Sequence, residues 1–514
     1  MWTSVLDLRP QRTVPTLLLG RLWRGAYFAP FAPLQVQNTP RQSLPAPTWV
    51  RVRNRLSGIS GCDLGLISGE NDLRTVQAAL PTRPQRYPGH EVVGEVIEVG
   101  NDAEYLSVGD RVVLQYGPNC ITAGVQPLCR FCANSNYHLC ERVDLPGPYP
   151  IGGGWSEEML LHEQQLYPVP EELSDDQAVM LEPAAIALHA VLRHTPRSTD
   201  RILIIGAGTM GLLTLMVVHT LVPRAEISVL ARHSFQIEQA TRLGAAHIIY
   251  PRNSYAEMQQ VTESRLYEGI LGNKMLMGGY DLIFDCIGSR KTLSDALRWT
   301  RANGTVVLVG QNPYMMNIDL TPIWHQELQL VGSLAHGTEI WPLGSNSRLS
   351  TFSVVALLME QGLLQPERLI THRFALTEYR QALTTAMNKE QSRSLKVLFD
   401  YAKQPASVVP NVRASRPRRA TINGRGPTTS IGRTPQSAGA LPTTPFEPKT
   451  PEEPETPIQP APSEPEEREN DAVRHMFMNT FDYDTGEQEQ QSVTNSDKPA
   501  SLSPEENSAT DPYQ

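Results

Sequence analysis

Residues 202–211 read Ile-Leu-Ile-Ile-Gly-Ala-Gly-Thr-Met-Gly, and this stretch decides the fold of the chain. A short apolar run enters a glycine-rich turn and continues as an apolar segment, Leu212 to Leu221, in the order strand, phosphate-binding loop and helix. The free N–H groups at the start of such a helix favour an anion. The pattern predicts a dinucleotide site, and the alternative is a purely structural turn. The predicted cofactor-binding residues of the turn are Gly206 for the tight turn, Gly208 for close backbone approach to a pyrophosphate, Thr209, Met210, and Gly211 for close packing of the helix on the strand.

Strands and helices alternate after this turn. Apolar runs at 227–230, 281–287, 305–310 and 328–334 are predicted strands, and helical patterns closing on Gly244 and covering 294–301 separate some of them. Repeated β and α elements of this length predict a doubly wound parallel sheet and place the chain in the α/β class. Gly310, at the end of one of these strands, is included among the predicted cofactor-binding residues.

The first part of the chain has a different pattern. Short predicted strands at 3–8, from Trp49, at 92–99 and at 111–114 are separated by turn residues, and the region after the first strand is punctuated by prolines. This pattern predicts a small β-rich domain. A run at 396–399 is predicted to be a strand that returns to this domain after helices at 352–361 and 378–387.

The end of the second predicted nucleotide-domain strand indicates the choice of cofactor. NAD-specific proteins place an acid about 20 residues past the glycine turn to hold the ribose hydroxyls. Here the strand ends Val229-Leu230-Ala231-Arg232-His233, without a carboxylate. Arg232, with a contribution from His233, is predicted to meet the 2′-phosphate of NADP, so NADP is expected over NAD; an unliganded surface arginine is the alternative.

Four of the six cysteines fall between positions 120 and 140, with the spacing C-x8-C-x2-C-x7-C. Four thiolates can complete a tetrahedral shell around zinc, which suits a structural site without an open position. Clustered cysteines in a large nucleotide-binding chain also indicate a reducing compartment, so a cytoplasmic location is expected. The predicted structural zinc ligands are Cys120, Cys129, Cys132 and Cys140; four unrelated free thiols are the alternative.

The length of 514 residues predicts at least two domains. A net charge of −9, with the body of the chain close to neutral, argues against nucleic acid as the main partner. The sequence shows neither a signal peptide nor an apolar run long enough to span a membrane. Residues 403–514 are rich in proline and polar residues and are predicted to be disordered. An apolar island at 475–483 is either a chance cluster, the favoured interpretation, or a motif that binds a protein partner.

The motifs taken together resemble the zinc-dependent medium-chain dehydrogenases, the superfamily of alcohol, sorbitol, threonine and glucose dehydrogenases. The resemblance covers roughly residues 1–402 and rests on motifs that occur in the family order: Gly58-Ile59-Ser60-Gly61-Cys62-Asp63, Gly89-His90-Glu91, Gly109-Asp110-Arg111-Val112, the cysteine lobe, Glu182-Pro183 and the glycine turn. It implies a GroES-like catalytic domain of residues 1–182 completed by 345–402, around a Rossmann domain of residues 183–344. It also implies a small alcohol or carbonyl substrate and a homo-oligomer.

The resemblance implies hydride transfer between a substrate carbinol carbon and the nicotinamide, with a catalytic zinc that polarises the substrate oxygen. The matching positions are Ser60, His90, Glu91 and Glu182, with His90 as a nitrogen ligand and the two glutamates as alternating or outer-shell carboxylates. On its own, His90 would be a packed strand-end histidine, and Glu182 an acid favoured by a helix dipole.

Two departures from the family pattern concern the metals. The family has cysteine at the position of Ser60 and serine or threonine at the position of Cys62, so the sulfur ligand and the proton-relay hydroxyl are exchanged. If the segment is extended, Cys62 can reach the metal and Ser60 relays the proton; if it turns, the site keeps only His90, Glu91 and Glu182. In the lobe, the family's first cysteine would fall at Gln126, so Cys120 must loop back to complete the shell.

These observations predict an alcohol or polyol dehydrogenase that uses zinc and NADP. Two alternatives remain open. The first is a zinc-free reductase of the quinone or enone type on the same fold, against which the cysteine lobe argues. The second is a catalytically impaired nucleotide-sensing protein that recruits a partner through its tail, which the Ser60–Cys62 exchange favours.

Overall fold

A computed structural model of the chain describes residues 1–20, 22–69, 74–75, 85–142, 144–311 and 313–403. Apart from residue 403, the tail that the sequence predicts to be disordered lies outside these residues, as does the island at 475–483. Among the described helices, none is long and apolar enough to cross a bilayer.

Strands and helices have the following bounds. The strands are β1 (Trp2–Asp7), β2 (Leu34–Asn38), β3 (Trp49–Gly58), β4 (Gln85–Arg86), β5 (Val92–Val99), β6 (Arg111–Leu114), β7 (Glu158–His162), β8 (Leu166–Pro168), β9 (Arg201–Ile205), β10 (Glu226–Leu230), β11 (His247–Ile249), β12 (Arg265–Glu268), β13 (Lys274–Met277), β14 (Tyr280–Asp285), β15 (Thr300–Leu308), β16 (Gln329–Gly332), β17 (Thr338–Ile340), β18 (Arg348–Ser350), β19 (Ile370–Phe374) and β20 (Lys396–Asp400). The helices are α1 (Pro10–Gly20), α2 (Gly61–Ser68), α3 (Asp175–Ala178), α4 (Leu181–Arg193), α5 (Thr209–Leu221), α6 (Ser234–Arg242), α7 (Ser254–Thr262), α8 (Arg290–Trp299), α9 (Thr321–Gln326), α10 (Thr351–Glu360), α11 (Tyr379–Met387) and α12 (Lys389–Ser392).

The glycine turn follows the central strand of a six-stranded parallel sheet. Its strand order is β11-β10-β9-β14-β15-β16, so the chain reverses direction across the sheet between β9 and β14. In the middle of the sheet Ile204 lies between Val229 and Phe284, and all three side chains are fully buried. Because a parallel sheet is covered on both faces, its strands are continuous apolar runs, which is why they could be found in the sequence. The predicted doubly wound sheet is confirmed.

The second large sheet has the order β19-β20-β3-β5-β6-β8, and β7 also pairs with β3. The last strand returns to the first part of the chain as predicted, with Leu398 opposite Gly58. Strand β5 lies on the other side of β3, with Val50 opposite Val99. The chain therefore has the α/β fold predicted from its sequence, a doubly wound parallel sheet with a second, β-rich part.

A smaller sheet has the order β2-β1-β4, and an unpredicted helix connects β1 to β2 along the chain. The proline-punctuated stretch after β1, for which the sequence analysis predicts no helix or strand, forms α1. Pro10 stands at the first helical position, where the missing N–H has no partner within the helix in any case. Thr16 Oγ1 donates to the Arg12 carbonyl at 2.8 Å, and the Arg12 side chain donates to the Pro30 carbonyl at 2.9 Å.

Candidate active site and cofactor cleft

The glycine turn has the geometry that its residue types require. Gly206 has φ +97°, in the region that favours glycine, and follows the last residue of β9. A Cβ at Gly211 would lie 1.7 Å from the Gly206 carbonyl oxygen, so helix α5 can approach the turn only with glycine there. A Cβ at Gly208 would meet nothing within 4 Å, which leaves this backbone open on the cleft side. Thr209 and Met210 form the first turn of α5 and line the same cleft.

Gly310 closes the other side of this region. Its N–H donates to the Asp285 carbonyl at 2.8 Å, and a Cβ there would lie 2.3 Å from the Ile287 carbonyl carbon. The ends of β14 and β15 therefore meet without a side chain between them. Gly310 lines the same cleft as the glycine turn.

Arg232 and His233 lie just beyond the end of β10 and line the cleft as well. The Arg232 side chain is exposed and makes no hydrogen bond or ion pair with another described residue. His233 stacks on Phe235 with ring centroids 5.9 Å apart, and its Nδ1 lies 4.0 Å from Glu390 Oε1. Within the described part of the chain this guanidinium has no partner, so it is available at the place where the sequence predicts the 2′-phosphate.

His90, Glu91 and Glu182 converge at the other end of the cleft. One ligand atom from each lies within 4.8 Å of those of the other two. His90 and Glu91 directly precede β5, whereas Glu182 is the second residue of α4. Gly89, with φ +86°, makes this approach possible, because a Cβ there would lie 2.4 Å from the Trp155 ring.

Burial and the neighbouring charges shift the pKa values of Glu182 and His90. Burial raises the pKa of Glu182 to about 7, an effect that His90 opposes and Glu91 reinforces; its Oε2 is buried without a hydrogen bond. Burial favours the neutral form of His90, but the Asp63, Glu182 and Glu91 carboxylates outweigh it and raise its pKa. One nitrogen donor and two carboxylates, with an unbonded buried oxygen on Glu182, are a donor set that fits zinc.

The Ser60–Cys62 segment turns instead of extending. Ser60 caps α2, with its Oγ accepting from the Asp63 N–H at 3.0 Å and donating to Asp63 Oδ2 at 2.7 Å. Cys62 therefore points elsewhere, and its Sγ donates to Gln311 Oε1 at 3.1 Å. Burial, followed by the Asp63 and Glu182 charges, raises the pKa of the Cys62 thiol to about 11. The extended arrangement that would have brought Cys62 to the metal is wrong, and Cys62 lies outside the group formed by the three convergent ligands.

Sequence reasoning missed two charged residues at this site. Asp63 Oδ1 accepts from the Gly89 N–H at 3.1 Å and lies 3.8 Å from His90 Nδ1, so it orients the loop that carries His90. Lys396, from β20, places its Nζ 2.6 Å from each oxygen of Glu91, and both side chains are almost fully buried. Asp63 had a local signal, a serine cap followed three residues later by an acid. Lys396 had none, because it is 305 positions from Glu91.

The four clustered cysteines meet as the spacing predicts. Their sulfur atoms all lie within 4.8 Å of one another, and Cys120 Sγ is 3.6 Å from Cys140 Sγ. Cys120 thus loops back into the cluster despite its displacement from the family position. The Cys132 and Glu141 N–H groups are the main cause of a Cys129 pKa lowered to about 6, which favours the thiolate that binds metal. The set fits a tetrahedral zinc shell.

Comparisons with known proteins agree with this geometry. Residues 46–171 match the model of the alcohol dehydrogenase GroES-like domain, and residues 210–347 match the model of the zinc-binding dehydrogenase. The chain belongs to the zinc-dependent medium-chain dehydrogenase/reductase superfamily. It is an alcohol dehydrogenase-like oxidoreductase.

Relatives of this dehydrogenase include several polyol dehydrogenases. It is 28% identical over 356 residues to a sorbitol dehydrogenase of Arabidopsis thaliana, covering 69% of this chain and 89% of the relative. An L-idonate 5-dehydrogenase of Vitis vinifera is also 28% identical, over 69% of this chain and 88% of its own. The solved structure of 2R,3R-butanediol dehydrogenase from Bacillus subtilis is 26% identical with a TM-score of 0.56, covering 71% of this chain and 96% of that structure.

Proposed function

We propose that this dehydrogenase transfers hydride between an alcohol or polyol and NADP at a zinc held by His90, Glu91 and Glu182. The observation that carries the proposal is the shared cleft: the three convergent ligands and the glycine turn line the same opening. The names of the relatives, sorbitol and L-idonate dehydrogenases, favour a substrate with a secondary hydroxyl. We also propose domain boundaries of 1–182 with 345–402 and of 183–344.

A zinc ion in this ligand set would polarise the substrate oxygen and ease loss of the hydroxyl proton. The residues around it control orientation and charge. Asp63 fixes His90 through its contact with Nδ1, and Lys396 holds Glu91 in place. The Ser60 hydroxyl is already committed to Asp63, which leaves the thiol of Cys62 and the Gln311 amide as the polar groups facing one another across the cleft.

The second zinc is proposed at the cysteine cluster. Four thiols in one shell have no open position for substrate, so the role of this metal is structural. The cluster also argues against the zinc-free reductase alternative, because a protein that binds no zinc gives no reason for four sulfur atoms to converge.

The choice of NADP is supported by the free guanidinium of Arg232. A phosphate bound by this side chain gains a charge-assisted hydrogen bond, whereas the hydroxyls of NAD would find no carboxylate at this strand end. A bond of this kind contributes about 1.5–3 kcal/mol, which corresponds to roughly 10–100-fold in affinity.

Fluorescence titration with NADPH and NADH tests this choice. Wild-type protein should bind NADPH more tightly, and Arg232→Ala should lose that preference while its NADH affinity stays the same. Arg242→Ala is the matched control, because Arg242 is exposed at the end of α6, the helix that follows Arg232, and pairs with Glu238. Equal wild-type affinities for the two cofactors, or an unchanged NADPH affinity in Arg232→Ala, would reject the assignment.

A second candidate function is nucleotide sensing without turnover. The turned Ser60–Cys62 segment favours it, because the site lacks the thiolate ligand that the family uses. Such a protein would bind NADPH in the fluorescence titration but would oxidise no alcohol when zinc is bound. An alcohol-oxidation assay on the same purified wild-type protein distinguishes the two functions.

A further inference from the structure

Helix α1 forms one wall of the cleft that holds the proposed active site. Pro10, Thr13, Val14 and Leu17 all line this cleft, and their spacing of three, one and three residues places them on a single helix face. The Thr13 hydroxyl donates its hydrogen bond to the Arg9 carbonyl at 3.2 Å, so its proton is not available to a ligand. Val14 keeps 51% of its surface exposed. The helix lies outside both segments that match the family models.

Several contacts hold α1 in this position. The buried carboxylate of Asp7 pairs with Arg9 at 2.6 Å and with Arg12 at 3.2 Å, which ties the start of the helix to β1. Burial of Asp7 opposes ionisation, but the stronger hydrogen bond from Arg9 lowers its pKa. At the other end the Tyr27 ring lies against Gly20, where a Cβ would be 2.6 Å from its carbons. Contacts at both of its ends therefore fix the position of α1 in the fold.

Helix α2 runs from the three convergent ligands to helix α1. Ser60 caps its start beside the convergent ligands, and Gly69 caps its end, where a Cβ would lie 1.9 Å from Leu17 Cδ2. Seven residues of helix span about 10 Å, which is the length of the strip between Cys62 and Leu17. Leu64 and Leu66 of α2 line the cleft along this strip. Among the described lining residues of α1, α2 and β4, the charged side chain is Arg86, on β4 opposite Leu6.

We propose that α1 and α2 form an apolar subsite that selects alcohols with an extended hydrocarbon substituent. This inference rests on the proposed function and specifies its substrate class. A hydrocarbon chain would lie against Val14, Leu17 and Leu64, whereas the outer hydroxyls of a polyol would find no charged partner among the described residues of α1 and α2 that line the cleft. Each methylene that leaves water contributes about 0.8 kcal/mol, so a few buried methylenes raise kcat/KM for a long alcohol by about tenfold or more.

The test compares hexan-2-ol, called hexanol below and chosen for its secondary hydroxyl, with propane-1,2-diol in three proteins: wild type, Val14→Asp and the control Leu18→Asp. Leu18 is on the same helix and 65% exposed, and it does not line the cleft. Wild type and the control should prefer hexanol in kcat/KM by about tenfold or more. Val14→Asp should lose that preference through its KM for hexanol while keeping its activity with the diol. Calorimetric binding of hexanol in the presence of NADPH provides a readout without turnover.

The possible outcomes separate this inference from the proposed function. If no alcohol is oxidised but hexanol binds wild type and the control, and not Val14→Asp, the proposed function fails and the apolar subsite stands. If the diol is oxidised and hexanol is no better, or if Val14→Asp and Leu18→Asp behave alike, the subsite is rejected. A preference for hydroxyhexanoate over hexanol that disappears in Arg86→Gln would also overturn it, in favour of an anionic substrate.

Discussion

Replacing Lys396 by methionine tests the buried ion pair that supports the proposed metal site. The Lys396 ammonium lies 2.6 Å from both oxygens of Glu91, and the two side chains are 3% and 5% exposed. Methionine keeps most of the volume but leaves the Glu91 carboxylate buried without its partner, close to Glu182. The expected destabilisation is about 3–5 kcal/mol, because the remaining charge keeps its desolvation penalty and loses its attraction.

A double-mutant cycle separates this effect from simple packing loss. In Lys396→Met with Glu91→Gln, no uncompensated charge remains, so the double variant should recover at least about 2 kcal/mol relative to the single variant. Equilibrium urea unfolding of the chelator-treated proteins, in which no zinc can compensate the Glu91 carboxylate, measures each free energy of unfolding by tryptophan fluorescence. The control is Lys291→Met, which removes an 81% exposed lysine paired with Asp295 and should change stability by less than about 0.5 kcal/mol. Equal stabilities of the single and double variants would refute the reasoning.

Three further predictions follow from the geometry. Gly211→Ala should abolish tight NADPH binding, because its Cβ would lie 1.7 Å from the Gly206 carbonyl oxygen. The control Gly65→Ala, whose Cβ meets nothing within 4 Å, should bind NADPH like wild type in the same fluorescence titration. Cys132→Ser should lower the zinc content by one ion per chain in elemental analysis, and an unchanged content would contradict the structural site. Burial, with His138 and His189 nearby, lowers the pKa of His336 to about 3, so the unfolded chain takes up its proton first as the pH falls below about 6.5. Lowering the pH from 7 to 5 should therefore cost about 2 kcal/mol more in wild type than in His336→Gln, and parallel unfolding curves at the two pH values would contradict this.

Features with a local physical cause could be predicted from the sequence. The glycine turn needs positive φ and close helix approach at fixed spacing, and the buried parallel strands need continuous apolar runs. The cysteine cluster follows from four sulfurs on one short loop. These elements were found, with boundaries that moved by a few residues; the predicted strand at 305–310, for example, begins at Thr300.

Features that depend on distant contacts could not be predicted in the same way. The pairing of Lys396 with Glu91 exists only because β20 returns to β3. Helix α1 was missed because its prolines argue for an irregular segment, while tertiary contacts of Asp7 and Arg12 hold the helix in place. For Ser60 and Cys62 the sequence left both backbone conformations open, and the local signal for the observed turn, a serine cap followed three residues later by Asp63, was missed. The roles of the individual site residues and the domain boundaries stay predictions.

The most direct test of the account is alcohol-dependent reduction of NADP by the purified protein, measured by absorbance before and after removal of zinc by a chelator and again after its return. The account predicts turnover with at least one alcohol, loss of that turnover on chelation, recovery with zinc, and no recovery in His90→Ala. Tight NADPH binding without turnover of any alcohol, at every zinc content, would contradict it.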